Sequence, residues 1–233
     1  RRSSGRGTGS FQMLRNLLMA AFAALLLAPA ATAENQIWTT IGLKKKPDAD
    51  SRYEFELNNE IRFQPDGYLD TVEIRPGVSY KLDNGMKLSG GYLFALNRRD
   101  GPDRREHRLW EQLSYDIAEI GDGKIDGRSK IEQRWREGAD GTGWRLRQQF
   151  AFEHPIAGTD LKFNISDEAT IGLNDTAWGN SEGLQENRAK AVVKWKTGKA
   201  TWEAGYMNQY RNGVNGAADQ DNHHIVLGLS AGF

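Results

Sequence analysis

From residue 51 to the C-terminus the chain alternates apolar and polar residues, in one segment after another. In 52–63, Tyr53, Phe55, Leu57, Ile61 and Phe63 interleave with Arg52, Glu54, Glu56, Glu60 and Arg62. In 72–82, Val72, Ile74, Val78, Tyr80 and Leu82 stand against Glu73, Arg75, Ser79 and Lys81, and 86–96 and 144–152 continue the pattern. A period of two sends successive side chains to opposite faces, so each segment reads as a strand with one apolar and one charged face. Similar readings cover 107–117, 127–136, 160–171, 187–196, 200–210 and 223–233, and helical periodicity is nearly absent. The chain is therefore all-β.

Two architectures suit such strands. A soluble sandwich or lipocalin-like barrel buries the apolar face. A membrane barrel inverts this, with apolar faces to lipid and polar faces to the lumen. Segment length favours the membrane, because most segments alternate over about ten residues, the span of a tilted membrane strand. Tryptophan placement agrees. Trp135 and Trp144 flank 136–143, and Trp195 and Trp202 flank 196–201, all on apolar faces. They are expected to mark the two interface belts. Short turns at 82–85 and 196–200 alternate with long polar loops at 97–107, 173–185 and 211–222. The connection 118–127 is long where this scheme wants a short one.

The N-terminal region supplies a context. Residues 13–33, MLRNLLMAAFAALLLAPAATA, join a basic start at Arg15 to an apolar core and an Ala31-Thr32-Ala33 cleavage site. This reads as a cleavable signal-peptide helix rather than a membrane anchor, with export and cleavage after Ala33. Residues 1–12 are expected to be an unstructured upstream extension, and 34–233 the barrel domain. The 31 basic and 31 acidic residues of the chain balance, but Arg1, Arg2, Arg6 and Arg15 all precede residue 34, so the remainder is acidic by four charges. That is no nucleic-acid signature. Without cysteine, stability must come from a large core or a closed sheet.

The expected fold is an antiparallel up-and-down transmembrane β-barrel. Ten strands are counted from residue 51, and twelve is the alternative. The alternating piece 37–45 does not fit an even count, and could pair at the seam or enter the lumen.

Several blocks carry a resemblance: GYLF (91–94), REHRLWEQ (105–112), SKIEQRW (129–135), WRLRQQF (144–150), DEATIGLND (167–175), ENRAKAVVKW (186–195) and WEAGYMNQY (202–210). Together they resemble the Domain of Unknown Function 2490 family of expected outer-membrane proteins, with a more distant similarity to small oligogalacturonate and sialic-acid porins. The resemblance implies an exported barrel in the bacterial outer membrane, with lipid and the barrel-insertion machinery as partners, and carries no reaction. An apolar strand ending on Phe233 likewise resembles the assembly signal of such barrels.

Charges facing lipid cost ~2–4 kcal/mol each at the midplane, so the charged faces are expected to turn inward. The candidate lumen residues are Arg75, Arg108, Arg134, Arg136, Arg145, Arg147, Arg188, Glu132 and Glu168. One reading is a plug of paired side chains. The other is a narrow pore for small or anionic solutes, with Arg134, Arg136, Arg145 and Arg147 forming one basic patch if the strands align. A lipid-modifying enzyme is the third class. It needs a serine beside a histidine, yet Ser230 lies ~20 Å along the strand from His224, and Ser114 is also too far from His107. No catalytic residue, cofactor or metal is expected, and His223, His224, Asp219 and Asp221 read as a solvated loop.

Overall fold

The computed structural model describes residues 35–98, 102–213 and 217–233. The expected extension (1–12) and signal peptide (13–33) lie outside the described residues. The alternating segments form β1 (Gln36–Lys45), β2 (Tyr53–Phe63), β3 (Leu69–Lys81), β4 (Lys87–Asn97), β5 (Arg104–Ile120), β6 (Gly123–Arg136), β7 (Gly143–Pro155), β8 (Lys162–Gly172), β9 (Gly183–Thr197), β10 (Ala200–Arg211) and β11 (Gln220–Gly232). They close into one barrel in sequence order, with β1 beside β11.

The barrel thus has eleven strands, neither ten nor twelve. The reason lies in 36–45. That stretch has its own alternation, with Ile41 and Leu43 exposed and Trp38 and Gly42 turned inward. It bonds on both sides, antiparallel to β2 and parallel to β11 from Gln36↔His224 to Lys44↔Gly232. In an up-and-down chain all odd-numbered strands run the same way, so the first and eleventh can only pair parallel. The odd connection at 118–127 also resolves. It is the tip of the long β5–β6 hairpin, which turns at 121–122 through Gly121 at φ 58°.

Connections 64–68, 98–103, 137–142, 173–182 and 212–219 share one rim, called here the loop rim. Connections 46–52, 82–86, 121–122, 156–161 and 198–199 share the other, the turn rim. The loops are shorter than the sequence suggests, because β5, β9 and β11 begin inside the expected loop segments, at Arg104, Gly183 and Gln220.

The wall is inside-out relative to a soluble domain. Phe55, Leu88, Leu109, Phe150, Ile165 and Leu227 are exposed, whereas Glu73, Glu106, Arg108, Arg147 and Glu168 are buried. The expectation that every strand charge turns inward fails near the rims at Lys45, Arg105 and Asp221, and within the wall at two further positions. Glu111 and Asp167 are exposed on the outer face, in register with exposed Leu109 and Ile165.

Inside, two glycines make room for a tryptophan. A Cβ on Gly77 would lie 2.7 Å from the Trp110 ring, and one on Gly91 would lie 2.3 Å from the Pro76 carbonyl and 2.9 Å from the same ring. Trp110 therefore lies flat across β3 and β4, buried with Leu93 and Ala95.

Candidate functional site

The inward faces of five strands repeat one tripeptide. Glu60-Ile61-Arg62, Glu73-Ile74-Arg75, Glu106-His107-Arg108, Glu132-Gln133-Arg134 and Glu186-Asn187-Arg188 each place an acid and a base two residues apart. On a strand such a pair shares one face, so the repeat itself supplies mutually paired lumen charges. Arg62 Nε donates to Glu60 (2.7 Å), Arg75 Nη2 to Glu73 (2.9 Å) and Arg108 Nε to Glu106 (2.6 Å). Arg188 pairs with Glu186 in the same way. This repeat was legible in the sequence and is the signal that the residue-by-residue reading of the lumen lacked.

Cross-strand bonds join the pairs. Arg108 Nη1 reaches Glu73 at 3.3 Å, and Arg134 grips Glu106 with Nε at 2.7 Å and Nη2 at 2.9 Å. Glu132, only 1% exposed, accepts from Arg145 and Arg147. Glu168 accepts from Arg147 and Arg128. Such charge-assisted, multiply bonded pairs are the strong kind. The expected patch of four arginines is divided, because the register sets Arg145 opposite Glu132 and Arg147 opposite Lys130.

The network is not neutral. A cavity of about 400 Å³ on the loop-rim side is lined by thirteen Arg and Lys side chains against six Glu. Arg75, Arg108, Arg134, Arg136, Arg145, Arg147, Arg188 and Glu168 all line it, while Glu132 lies covered behind them. Among the described residues, several inward-facing polar atoms are buried without a protein partner, namely Gln36 Nε2, Arg75 Nε, Trp110 Nε1 and Arg136 Nε, together with Ser166 Oγ and His224 Nδ1. The first four are donors, and the last two can donate or accept. Lys130 is 4% exposed and its ammonium stands 5.1 Å over the Trp110 ring. A second cavity, of about 870 Å³, opens toward the turn rim. Thr40, Glu60, Arg75, Arg128, Lys130 and Glu203 line both cavities, so this ring is the partition between them.

Sequence reasoning also missed three tryptophans. Trp38 sits inside the barrel beneath the guanidinium of Arg62 at 3.7 Å and beside His224 at 4.8 Å. Trp110 packs under Lys130. Trp178 belongs to the loop 173–182, which folds over the lumen mouth. Arg136 Nη1 donates to its carbonyl at 2.6 Å, and Arg134 Nη1 donates to Asn180 Oδ1 at 3.2 Å. The signal was parity, since Trp38 and Trp110 fall on the charged faces of their strands.

Residues 35–221 match the family model described as Protein of unknown function (DUF2490). The chain belongs to this family. An uncharacterised protein of Methylorubrum extorquens is 32% identical over 146 residues, covering 60% of this chain and 64% of that protein. This DUF2490 member folds as a closed all-β barrel, and no helix among the described residues is long and apolar enough to cross a membrane.

The outer surface of the DUF2490 barrel shows where the remaining singled-out residues lie. Trp135 and Trp144 stand at the loop rim on either side of 137–142, with Trp135 Nε1 donating to Thr142 at 2.8 Å. Trp195 and Trp202 stack at the turn rim with centroids 6.4 Å apart. Phe233 follows β11 at the turn rim, and its amide donates to the Lys44 carbonyl at 3.1 Å. His223 and His224 fall on opposite faces of β11. His223 Nδ1 pairs with the Tyr206 hydroxyl, and His224 Nε2 pairs with Gln209 at 3.0 Å inside. Among the described residues no cluster of three or more His, Asp and Glu could hold a metal ion.

At the loop rim His107 bridges the Tyr92 hydroxyl (2.5 Å) and Glu137 (3.2 Å), and Arg105 bonds the same carboxylate at 3.3 Å. The hydrogen bonds from His107 and then Arg105 hold the Glu137 carboxyl below the usual glutamate range. A depressed carboxyl stabilises the fold above its unfolded pKa, and the contribution is lost as pH falls through the folded value. Glu137→Gln should therefore lower stability slightly at neutral pH and make no difference at strongly acid pH. Urea titrations of both proteins across pH check this, and a constant difference at every pH would refute it.

Proposed function

We propose that this DUF2490 protein is a bacterial outer-membrane barrel, non-enzymatic, that passes small anions through a narrow, resting-closed lumen. The surplus of thirteen cations over six carboxylates around the loop-rim cavity carries this reading. Balanced pairs alone would make a neutral filler. Surplus buried cations, and buried donors without acceptors, instead favour an anionic occupant. The exposed apolar exterior fits lipid, and the signal peptide cleaved after Ala33 would deliver the chain to the periplasm, where the insertion machinery would read Phe233.

The partition ring sets the selectivity. Lys130 has no carboxylate within ion-pair reach among the described residues, and Arg75 keeps Nε unbonded. Refolded barrel in planar bilayers should show small discrete currents with anion preference. Lys130→Met should shift the reversal potential toward zero. A barrel that inserts normally yet stays silent would favour the second reading, a non-conducting structural barrel. The near-total burial of Glu132 under Arg145 and Arg147 speaks for that alternative.

A further inference from the structure

The charges at the partition between the two cavities do not balance locally. Arg75, Arg128 and Lys130 line both cavities there. Each of the two guanidiniums has only a shared carboxylate. Glu73 serves Arg75 together with Arg62 and Arg108, and Glu168 serves Arg128 together with Arg147. Glu60 and Glu203, which line the same ring, are taken by Arg62 and Lys190. Lys130 has neither carboxylate nor hydrogen-bond acceptor among the described residues, and the Trp110 ring lies under its ammonium. The three cations are close enough to act on one another. Of the neighbouring charges, Arg75 acts most strongly on Lys130, then Arg128 and Arg147, and Arg75 acts on Arg128 as well. Their approach has a structural cause. Trp110 lies flat over Gly77, two residues from Arg75 on β3, and Lys130 reaches the same ring from β6. Arg75 Nε is buried and unbonded, and so is the Ser166 hydroxyl, two residues from Glu168 on the inward face of β8.

Buried like charges side by side repel, and a buried cation without a partner is costly. We propose, resting on the channel reading above, that the partition binds a doubly charged oxyanion of the phosphate class, seated among Arg75, Arg128, Lys130 and Ser166. The donors select the class. They come from β3, β6 and β8, so they reach the lumen from different sides and require an acceptor with several oxygens. Guanidinium edges fit the paired oxygens of such an ion, and the lysine ammonium adds a point charge. A dianion offsets more of the local surplus than chloride or a monocarboxylate does. Glu73 keeps Arg108, and Glu168 keeps Arg147, when the ion draws Arg75 and Arg128 toward itself. The cavity of about 400 Å³ on the loop-rim side leaves room for an organic group, so free phosphate and a phosphate ester share this recognition.

Urea titration of the refolded barrel, followed by heat-dependent gel mobility, reads the site. Millimolar inorganic phosphate should raise the urea midpoint, because a ligand bound by the folded state alone stabilises it. Sodium chloride at equal ionic strength should not. Lys130→Met keeps bulk over Trp110 and removes a repelling charge, so the barrel should fold, and phosphate protection should weaken about tenfold or more. Ser166→Ala should weaken it less. Lys124→Met, near the tip of the β5–β6 hairpin where the ammonium pairs with Asp116, should respond to phosphate as the unaltered chain does. Glycerol phosphate run in parallel separates the two sources. Stronger protection by the ester assigns the loop-rim cavity to its organic part, and stronger protection by inorganic phosphate assigns the site to the free ion. Equal protection by chloride, or full phosphate protection in Lys130→Met, overturns the site. Barrels that pass chloride in planar bilayers but gain nothing from either phosphate overturn the site and leave the channel reading standing. Barrels that stay silent yet gain Lys130-dependent protection overturn the channel and keep the site.

Discussion

Glu132→Ala should cost the folded barrel about 3–5 kcal/mol, the usual penalty for removing one partner of a buried ion pair. Glu132 is the carboxylate on which Arg145 and Arg147 converge, and its removal leaves both guanidiniums turned toward a cavity already rich in cations. Arg147 keeps Glu168, but Arg145 pairs with no second carboxylate among the described residues. The loss should appear as a lower urea midpoint, followed by heat-dependent gel mobility or by tryptophan emission. The same change should raise anion preference in any current that remains, since a negative charge leaves the lumen. A loss below ~1 kcal/mol would mean that water reaches these arginines freely, as at surface pairs. Replacing Glu132, Arg145 and Arg147 together by apolar residues should recover most of the stability, because well-packed apolar side chains can match a buried ionic cluster.

Trp110→Ala should cost about 3–5 kcal/mol as well, for a different reason. The indole fills the space that Gly77 and Gly91 leave open, and neither glycine has a side chain to fill the void. Trp110 also lines the turn-rim cavity and supports the Lys130 ammonium that stands in the partition. Removing the ring enlarges the lower cavity and frees Lys130 to move. Conductance should therefore rise while the fold weakens, a combination that loss of a purely structural core residue would not give. An unchanged current from a normally inserted Trp110→Ala barrel would place the constriction elsewhere, under Trp178 and Asn180 at the mouth.

Much of the barrel was legible because alternation is a local signal. Phe55, Leu57 and Ile61 on one side of β2, with Glu56 and Glu60 on the other, need no tertiary information to define two faces. The strand count was not legible, since β1 reads as a strand but its pairing depends on parity around the whole ring. Turn position was partly hidden too. The Gly121 turn sits inside a polar stretch with Gly123 and Gly127 close by, so the sequence offered several places to reverse. In the lumen, the arginines could be named one by one. Which carboxylate each would meet depends on a register that no single strand encodes, and Arg145 opposite Glu132 is the instance that divided the expected patch. The outward Glu111 and Asp167 depart from the rule that charges turn inward, and their parity with Leu109 and Ile165 is the signal that places them on the outer face.

The parallel seam has a consequence for addressing. A chain that crosses an even number of times ends on the side where it started. This one crosses eleven times, so Gln36 and Gly232 lie on opposite rims. The two ends of the wall therefore open onto different rims, Gln36 beside the loops and Gly232 beside the turns, which gives the barrel a direction that an even-stranded wall lacks.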